Sequence, residues 1–164
     1  DVVVNNAATA LALPLGEFTL DAWNKSMDVN LRGPVFLVQE ALPWLKKSPH
    51  AAVLNVLTGA AFLFSSTISL YAIGKAGMMA ATRAMAAEFE PFGIRVNALS
   101  PGTVDTDMVR KNTPEAQDVM TSIQLMKRKA SPDEMVGPAL MLTSDAGSFI
   151  TGHVVFADGG MVPH

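Results

Sequence analysis

The chain has 164 residues, 49% hydrophobic and 16% charged, with a net charge of −3. That length suits one domain with its own core, and mild acidity without a basic block argues against a nucleic-acid partner. No apolar run reaches the roughly 18 residues that a membrane helix needs, and the absence of Cys removes disulfides, thiolate catalysis and zinc–thiolate sites together.

The chain opens on DVVVNNAATA, where Val2 to Val4 form a β-branched run ending in two amides, Asn5 and Asn6. A continuous apolar run of this kind reads as a buried parallel strand. TLDAWNKSMDVN then offers Thr19 or Asp21 as the N-cap of a helix. A second helix is predicted over GPVFLVQEALPWLKK, with Pro34 at its start, two Lys at its end and a bend at Pro43. AAVLNVL, from Ala51, is a second strand. YAIGKAGMMAATRAMAAEFEPF is a long small-residue helix closed by Pro91 and Gly93, in which Met78, Met79 and Met85 are expected to pack. A third strand, IRVNALSPG, breaks at Pro101–Gly102. Next come a polar helical stretch over TPEAQDVMTSIQLMKRK, a helix opening at SPDEMVGPALMLTSD and a last strand, HVVFADGG. Strands separated by helices of these lengths predict βαβ units, hence an α/β fold with a parallel sheet. His50, His153 and His164 are scattered without ligand spacing, so no metal site is expected.

The sharpest local pattern is YAIGK, which sets Tyr71 and Lys75 four residues apart. On a helix that spacing brings both side chains to one face. A phenol with a pKa near 10 is a poor proton carrier at neutral pH, and a neighbouring ammonium stabilises its anion. A core Tyr followed by a solvated Lys leaves the same sequence, so the pair alone does not decide.

The ordered set NNAA, VNLRG at Asn30, NVLT at Thr58, YxxxK, VNALSPGTVDT and SFITGHVVFADGG resembles the short-chain dehydrogenase/reductase family over the whole chain. The resemblance implies a Rossmann-like fold with a seven-stranded parallel sheet, of which about four strands with flanking helices lie here as one partial domain over 1–164. DVVVNNAA then looks like the fourth strand. What would precede it is the first strand, the glycine-rich dinucleotide turn and two further strand–helix units, on the order of 80 residues. No glycine-rich fingerprint following a strand occurs among the twelve Gly.

By resemblance, Tyr71 is the general acid or base, and Lys75 depresses its pKa and bonds the nicotinamide ribose. Thr58 stands thirteen residues earlier, where the family usually has the Ser that polarises the substrate oxygen. Ser65, Ser66 and Ser69 lie nearer in sequence but do not match that position. Asn30 resembles the Asn whose backbone holds a water in a proton relay behind the Lys, although a helix-interior amide bonding the backbone would read the same. Asn6 is expected to face the cofactor and Asn5 to tie strands together. Pro101, Gly102, Val104 and Thr106 are expected to wrap the nicotinamide, Val104 through its main chain and Thr106 through a hydrogen bond. Ala8 stands where the family's NNAG has Gly.

The resemblance implies an enzyme moving a hydride between NAD or NADP and a small-molecule carbonyl or secondary alcohol, similar to 3-oxoacyl-carrier-protein reductases. The tight Tyr–Lys spacing separates it from enoyl reductases of the superfamily, which space the pair more widely. A homo-oligomer, tetramer or dimer, is implied through the Tyr71 helix and the VFLVQEALPWL helix, together with a cytoplasmic location. The alternative is a non-catalytic fragment or scaffold that keeps the oligomer interface without binding dinucleotide.

Overall fold

Four short β-branched segments form the sheet of the computed structural model, which describes residues 1–64 and 66–163. They are β1 (Val2–Asn5), β2 (Ala52–Val56), β3 (Arg95–Pro101) and β4 (Val154–Ala157). All pair in parallel in the order β1-β2-β3-β4, with Asn5 opposite Asn55 and Ala98 opposite Val154. This is the predicted α/β, Rossmann-like arrangement of about four strands. Ser65 and His164, both weighed from the sequence, lie outside the described residues.

Successive residues of each strand point to opposite faces, and the central strands are covered on both, whereas the edge strand β1, read from its apolar run as buried, leaves Val2 and Val4 half-exposed. Val53, Val96, Ala98 and Val154 pack with Val38 of α2 (Gly33–Leu45) and with Met78, Met85 and Phe89 of α3 (Ser69–Phe89). Leu54 and Leu99 pack on the other face with Leu142 of the helix Val136–Thr143. Each fully buried side chain of this kind contributes about 2 kcal/mol of hydrophobic stabilisation. Met79 is partly buried against the same core as Met78 and Met85, so these methionines of α3 pack as the sequence predicts.

Thr19 caps the first helix, α1 (Leu20–Met27), by accepting from the Ala22 amide at 3.1 Å. The structure departs from the sequence reading directly afterwards. The two predicted helices form one unbroken helical run, because a π-helical segment over Asp28–Arg32 joins α1 to α2. Pro34 supplies a physical reason. The α-helical donor for the Asn30 carbonyl would be residue 34, and proline has no N–H. The chain widens instead, and the Gly33 amide reaches back five residues to the Asp28 carbonyl. The helix carries Pro43 through its last turn to Leu45. The polar stretch predicted to be helical from Thr113 to Lys129 is so only over α5 (Pro114–Ser122); the short α4 (Asp107–Arg110) precedes it and α6 (Val136–Thr143) follows.

Polar side chains within the sheet are mostly satisfied. Asn5 donates to Asn55 at 2.8 Å, Asn55 donates to Thr82 of α3 at 2.9 Å, and Thr82 donates to the Met78 carbonyl at 2.8 Å. Asn5 therefore ties strands together, as the sequence suggested. The exception is Ser100 on β3, fully buried with no partner for its hydroxyl.

An unpaired buried hydroxyl costs free energy, whereas a bonded amide between two partners stabilises. Ser100→Ala is expected to leave stability unchanged or to raise it by about 1 kcal/mol, while Asn55→Ala lowers it by about 2 kcal/mol. Urea unfolding midpoints of the two variants test this contrast, and a clear loss in Ser100→Ala contradicts it.

Candidate active site

The carboxyl end of β2 and the first turns of α3 bring the central residues together. Val56 is the last residue of β2, and Thr58, two residues on, caps the short 3-10 turn Gly59–Ala61 by accepting from the Ala60 amide at 3.3 Å. Lys75 is only 2% exposed. Its ammonium donates to the Val56 carbonyl at 2.6 Å and lies 5.9 Å from the centre of the Tyr71 ring. One turn earlier on the same helix face, Tyr71 meets the Thr58 hydroxyl, which hydrogen-bonds the phenol and lowers its pKa. Three of the residues singled out from the sequence are thus gathered in one place.

The electrostatics differ from the expectation that Lys75 depresses the phenol. Burial is the largest influence on Tyr71 and pushes its pKa above the usual 10.0, against the smaller pull of Thr58. Lys75 is itself pushed down to about 8 by burial. The Lys75 ammonium donates to the Val56 carbonyl rather than to the phenol, so desolvation wins.

Asn30 lies fully buried in the π-helical segment. Its side chain donates to the Thr9 carbonyl at 2.8 Å and to Ser26 at 3.2 Å, and accepts from the Thr9 amide at 3.1 Å. This is the amide-to-backbone role that the sequence left open. It fastens the loop after β1 to the helical run. The segment also presses on α3, for a Cβ at Gly74 would lie 2.9 Å from Asn30 Cβ. Asn30 therefore backs the turn that carries Lys75.

The turn after β3 completes the rim. Gly102 donates to the Ala157 carbonyl at 3.1 Å. The Thr103 carbonyl accepts from Ala130, and Asp105 donates to the Ala130 carbonyl, both at 2.9 Å. In that ladder the amide of Val104 takes no part and turns the other way. Thr106 is exposed and its hydroxyl does not cap α4. Asn6 is exposed just beyond the end of β1. Val104, Thr106 and Asn6 thus keep polar groups available to a ligand at the carboxyl edge of the sheet, where ligands bind such folds.

Sequence reasoning missed Gln124, a buried amide that accepts from the Thr103 amide at 2.6 Å and donates to the Met126 and Arg128 carbonyls. A lone Gln in a stretch read as helix gives no signal of such a clamp. The cleft of about 440 Å³ beside it, lined by Gly102, Leu125, Phe156 and Gly159 among others, does not include Tyr71, Thr58 or Lys75. Among the described residues no group of His, Asp and Glu is placed to hold a metal ion, and no helix is long and apolar enough to cross a membrane.

A parallel sheet with Tyr71, Lys75 and Thr58 at its carboxyl edge defines the class, and comparison with known proteins identifies the family. The family model described as enoyl-(acyl carrier protein) reductase matches residues 1–162. The chain belongs to the short-chain dehydrogenase/reductase family and is 3-oxoacyl-carrier-protein-reductase-like. It is 34% identical over 162 residues to a probable galactose dehydrogenase of Rhizobium meliloti, covering 98% of this chain and 63% of that protein. It is 32% identical over 162 residues to a 3-oxoacyl-[acyl-carrier-protein] reductase of Thermotoga maritima, covering 99% and 66%. The crystal structure of a gluconate 5-dehydrogenase from Burkholderia cenocepacia, in complex with NADP and tartrate, superposes with a TM-score of 0.93 at 31% identity, covering 98% of this chain and 64% of that one. The chain thus spans less than two thirds of the length of each of these proteins.

Tyr71 is the sole tyrosine of the chain, so ultraviolet absorbance against pH follows this phenol alone. Its midpoint is expected above the ordinary 10.0, and Thr58→Val is expected to raise it further by removing the bond that favours the anion. A midpoint below 10.0 in the free protein contradicts the dominance of burial.

Lys75 gives a second test. Its folded pKa of about 8 lies below the ordinary 10.5, so between these values the unfolded chain binds more protons than the folded one. Burial of the charge therefore weakens the fold below about 8, and stability from this group recovers as pH rises toward 10.5. Denaturant midpoints of wild type and Lys75→Met across that window should diverge in slope, and parallel curves would contradict the shift.

Proposed function

We propose that this chain is the catalytic part of an NAD- or NADP-dependent oxidoreductase that interconverts a small carbonyl compound and its secondary alcohol. One observation carries the reading: Thr58, Tyr71 and Lys75 converge at the carboxyl edge of the sheet. The NADP complex of the Burkholderia relative supports the choice of cofactor. The free Val104 amide, the uncapped Thr106 hydroxyl and exposed Asn6 fit a nicotinamide carboxamide and ribose, with Lys75 on the ribose and Pro101 and Gly102 turning the backbone. Hydride donation or acceptance is the nicotinamide's chemistry.

The protein's part is position and proton traffic. Thr58 holds the substrate oxygen beside Tyr71 while its methyl group narrows the approach. Tyr71 gives its phenolic proton to the carbonyl oxygen during reduction, and takes one from the alcohol during oxidation. Burial keeps that phenol protonated at neutral pH, which suits reduction. Lys75 replaces the proton, a task favoured by a pKa of about 8. Asn30 backs the Lys75 turn and contributes its main-chain carbonyl to the relay. The Tyr–Lys spacing favours carbonyl over enoyl reduction within the family.

Exposed Phe36, Leu37 and Trp44 on α2 and Ile73 on α3 support a homo-oligomer through these helices. A second reading, a non-catalytic assembly fragment, draws on β1, whose Val2 and Val4 are 44% and 51% exposed although they lie on a parallel strand. Tight NADH binding by the 164-residue polypeptide alone, measured by fluorescence, argues against that second reading.

For the enzyme reading, Tyr71→Phe is expected to cut kcat by about 10²- to 10⁴-fold in carbonyl reduction assays, with an unchanged circular dichroism spectrum. Unchanged turnover would remove Tyr71 from the chemistry and the proposal with it.

A further inference from the structure

We infer that Met161, near the carboxyl end of the chain, is a positioning residue that braces Thr58 against Tyr71, a step that rests on the proposed roles of those two side chains. Thr58 and Gly59 form a turn that no strand pairing holds, and the face of this turn away from α3 needs support. Met161 supplies it. A Cβ on Gly59 would run into Met161 Sδ and lie 3.6 Å from Val162 Cγ2, so the sulfur occupies the place a side chain would take. Gly59 is needed there for closeness.

Met161 is itself held in place. Asp158, 7% exposed at the end of β4, accepts from the Gly160 amide at 2.9 Å through one carboxylate oxygen and from the Val162 amide at 2.9 Å through the other. Gly159 and Gly160 take left-handed φ values of 63° and 76° and reverse the chain between the two bonds. The carboxylate therefore grips the backbone on both sides of Met161 and presents its thioether to Gly59. Phe62, just past the same 3-10 turn, packs edge-on to Phe156 of β4 at 4.8 Å, so the turn is gripped both from β4 and from the segment that follows it. A flexible, polarisable thioether suits the irregular gap above a glycine.

The phenol titration tests the brace without substrate or cofactor. Met161→Ala is expected to raise the Tyr71 midpoint toward the value in Thr58→Val, while Met161→Leu keeps it at the wild-type position. In carbonyl reduction, Met161→Ala is expected to lower kcat about tenfold or more, with little change in substrate KM. Gly59→Ala, which adds bulk without a forbidden backbone, drives the sulfur off the turn and is expected to reproduce both effects if Met161→Ala does not fold. A wild-type midpoint in Met161→Ala, or in Gly59→Ala, beside a shifted one in Thr58→Val overturns the inference. That outcome is distinct from failure of the catalytic reading, which would appear as full turnover in Tyr71→Phe.

Discussion

The bond from the Lys75 ammonium to the Val56 carbonyl, 2.6 Å long and shielded from water, is the contact on which the site's geometry depends. It fixes the height of α3 along β2. With that height set, Tyr71 lands one helical turn away beside Thr58, two residues past the bonded carbonyl. Strand and helix are joined by a pair of rungs, one from each of the two polar residues in YAIGK. Loss of the first rung would let the helix slide, and the second would then miss. The bond also has a cost, since burying an ammonium pulls its pKa down to about 8. A buried charge with one carbonyl partner and protons to spare is unfavourable for stability and useful for proton exchange.

Much of this was visible in the sequence. Four largely apolar runs marked four strands, because strands packed between helices carry apolar residues on both faces. The spacing of Tyr71 and Lys75 carries its own geometry. Thr58 was different: it stands thirteen positions before Tyr71, no periodicity spans that interval, and only the family resemblance pointed to it. Gln124 and Met161 could not have been found that way, since each acts through a contact between segments far apart in the chain. The direction of the Tyr71 shift was also out of reach, for a sequence shows which charges are near but not how much water is excluded.

The polar residues of the sheet divide by whether they are satisfied. Asn5, Asn55 and Thr82 form a closed chain that locks β1, β2 and α3 in register. Asn97 likewise donates to the Ile150 carbonyl at 2.7 Å and accepts from the His153 amide at 3.1 Å, which fixes the approach to β4. Such networks help to specify one packing arrangement, provided that every member has a partner. Ser100, on the neighbouring strand position to Phe156 and without a partner, stands outside that scheme.

The widened turn over Asp28–Arg32 has a bearing on how such chains tolerate change in length. It accommodates one more residue than a regular helix would, and each residue of an α-helix advances its direction by about 100°. Deleting a single codon there would close the bulge into a regular turn and leave α1 and α2 facing much as before, because the wide turn takes up its extra residue without adding rotation. Trp23 and Trp44 would keep their sides, and the loss would fall on Asn30 and its bonds to Thr9 and Ser26. The irregularity is a slack turn that tolerates one residue more or less in the rod, and its change would reach the site through Asn30, which presses on the turn of α3 that carries Lys75.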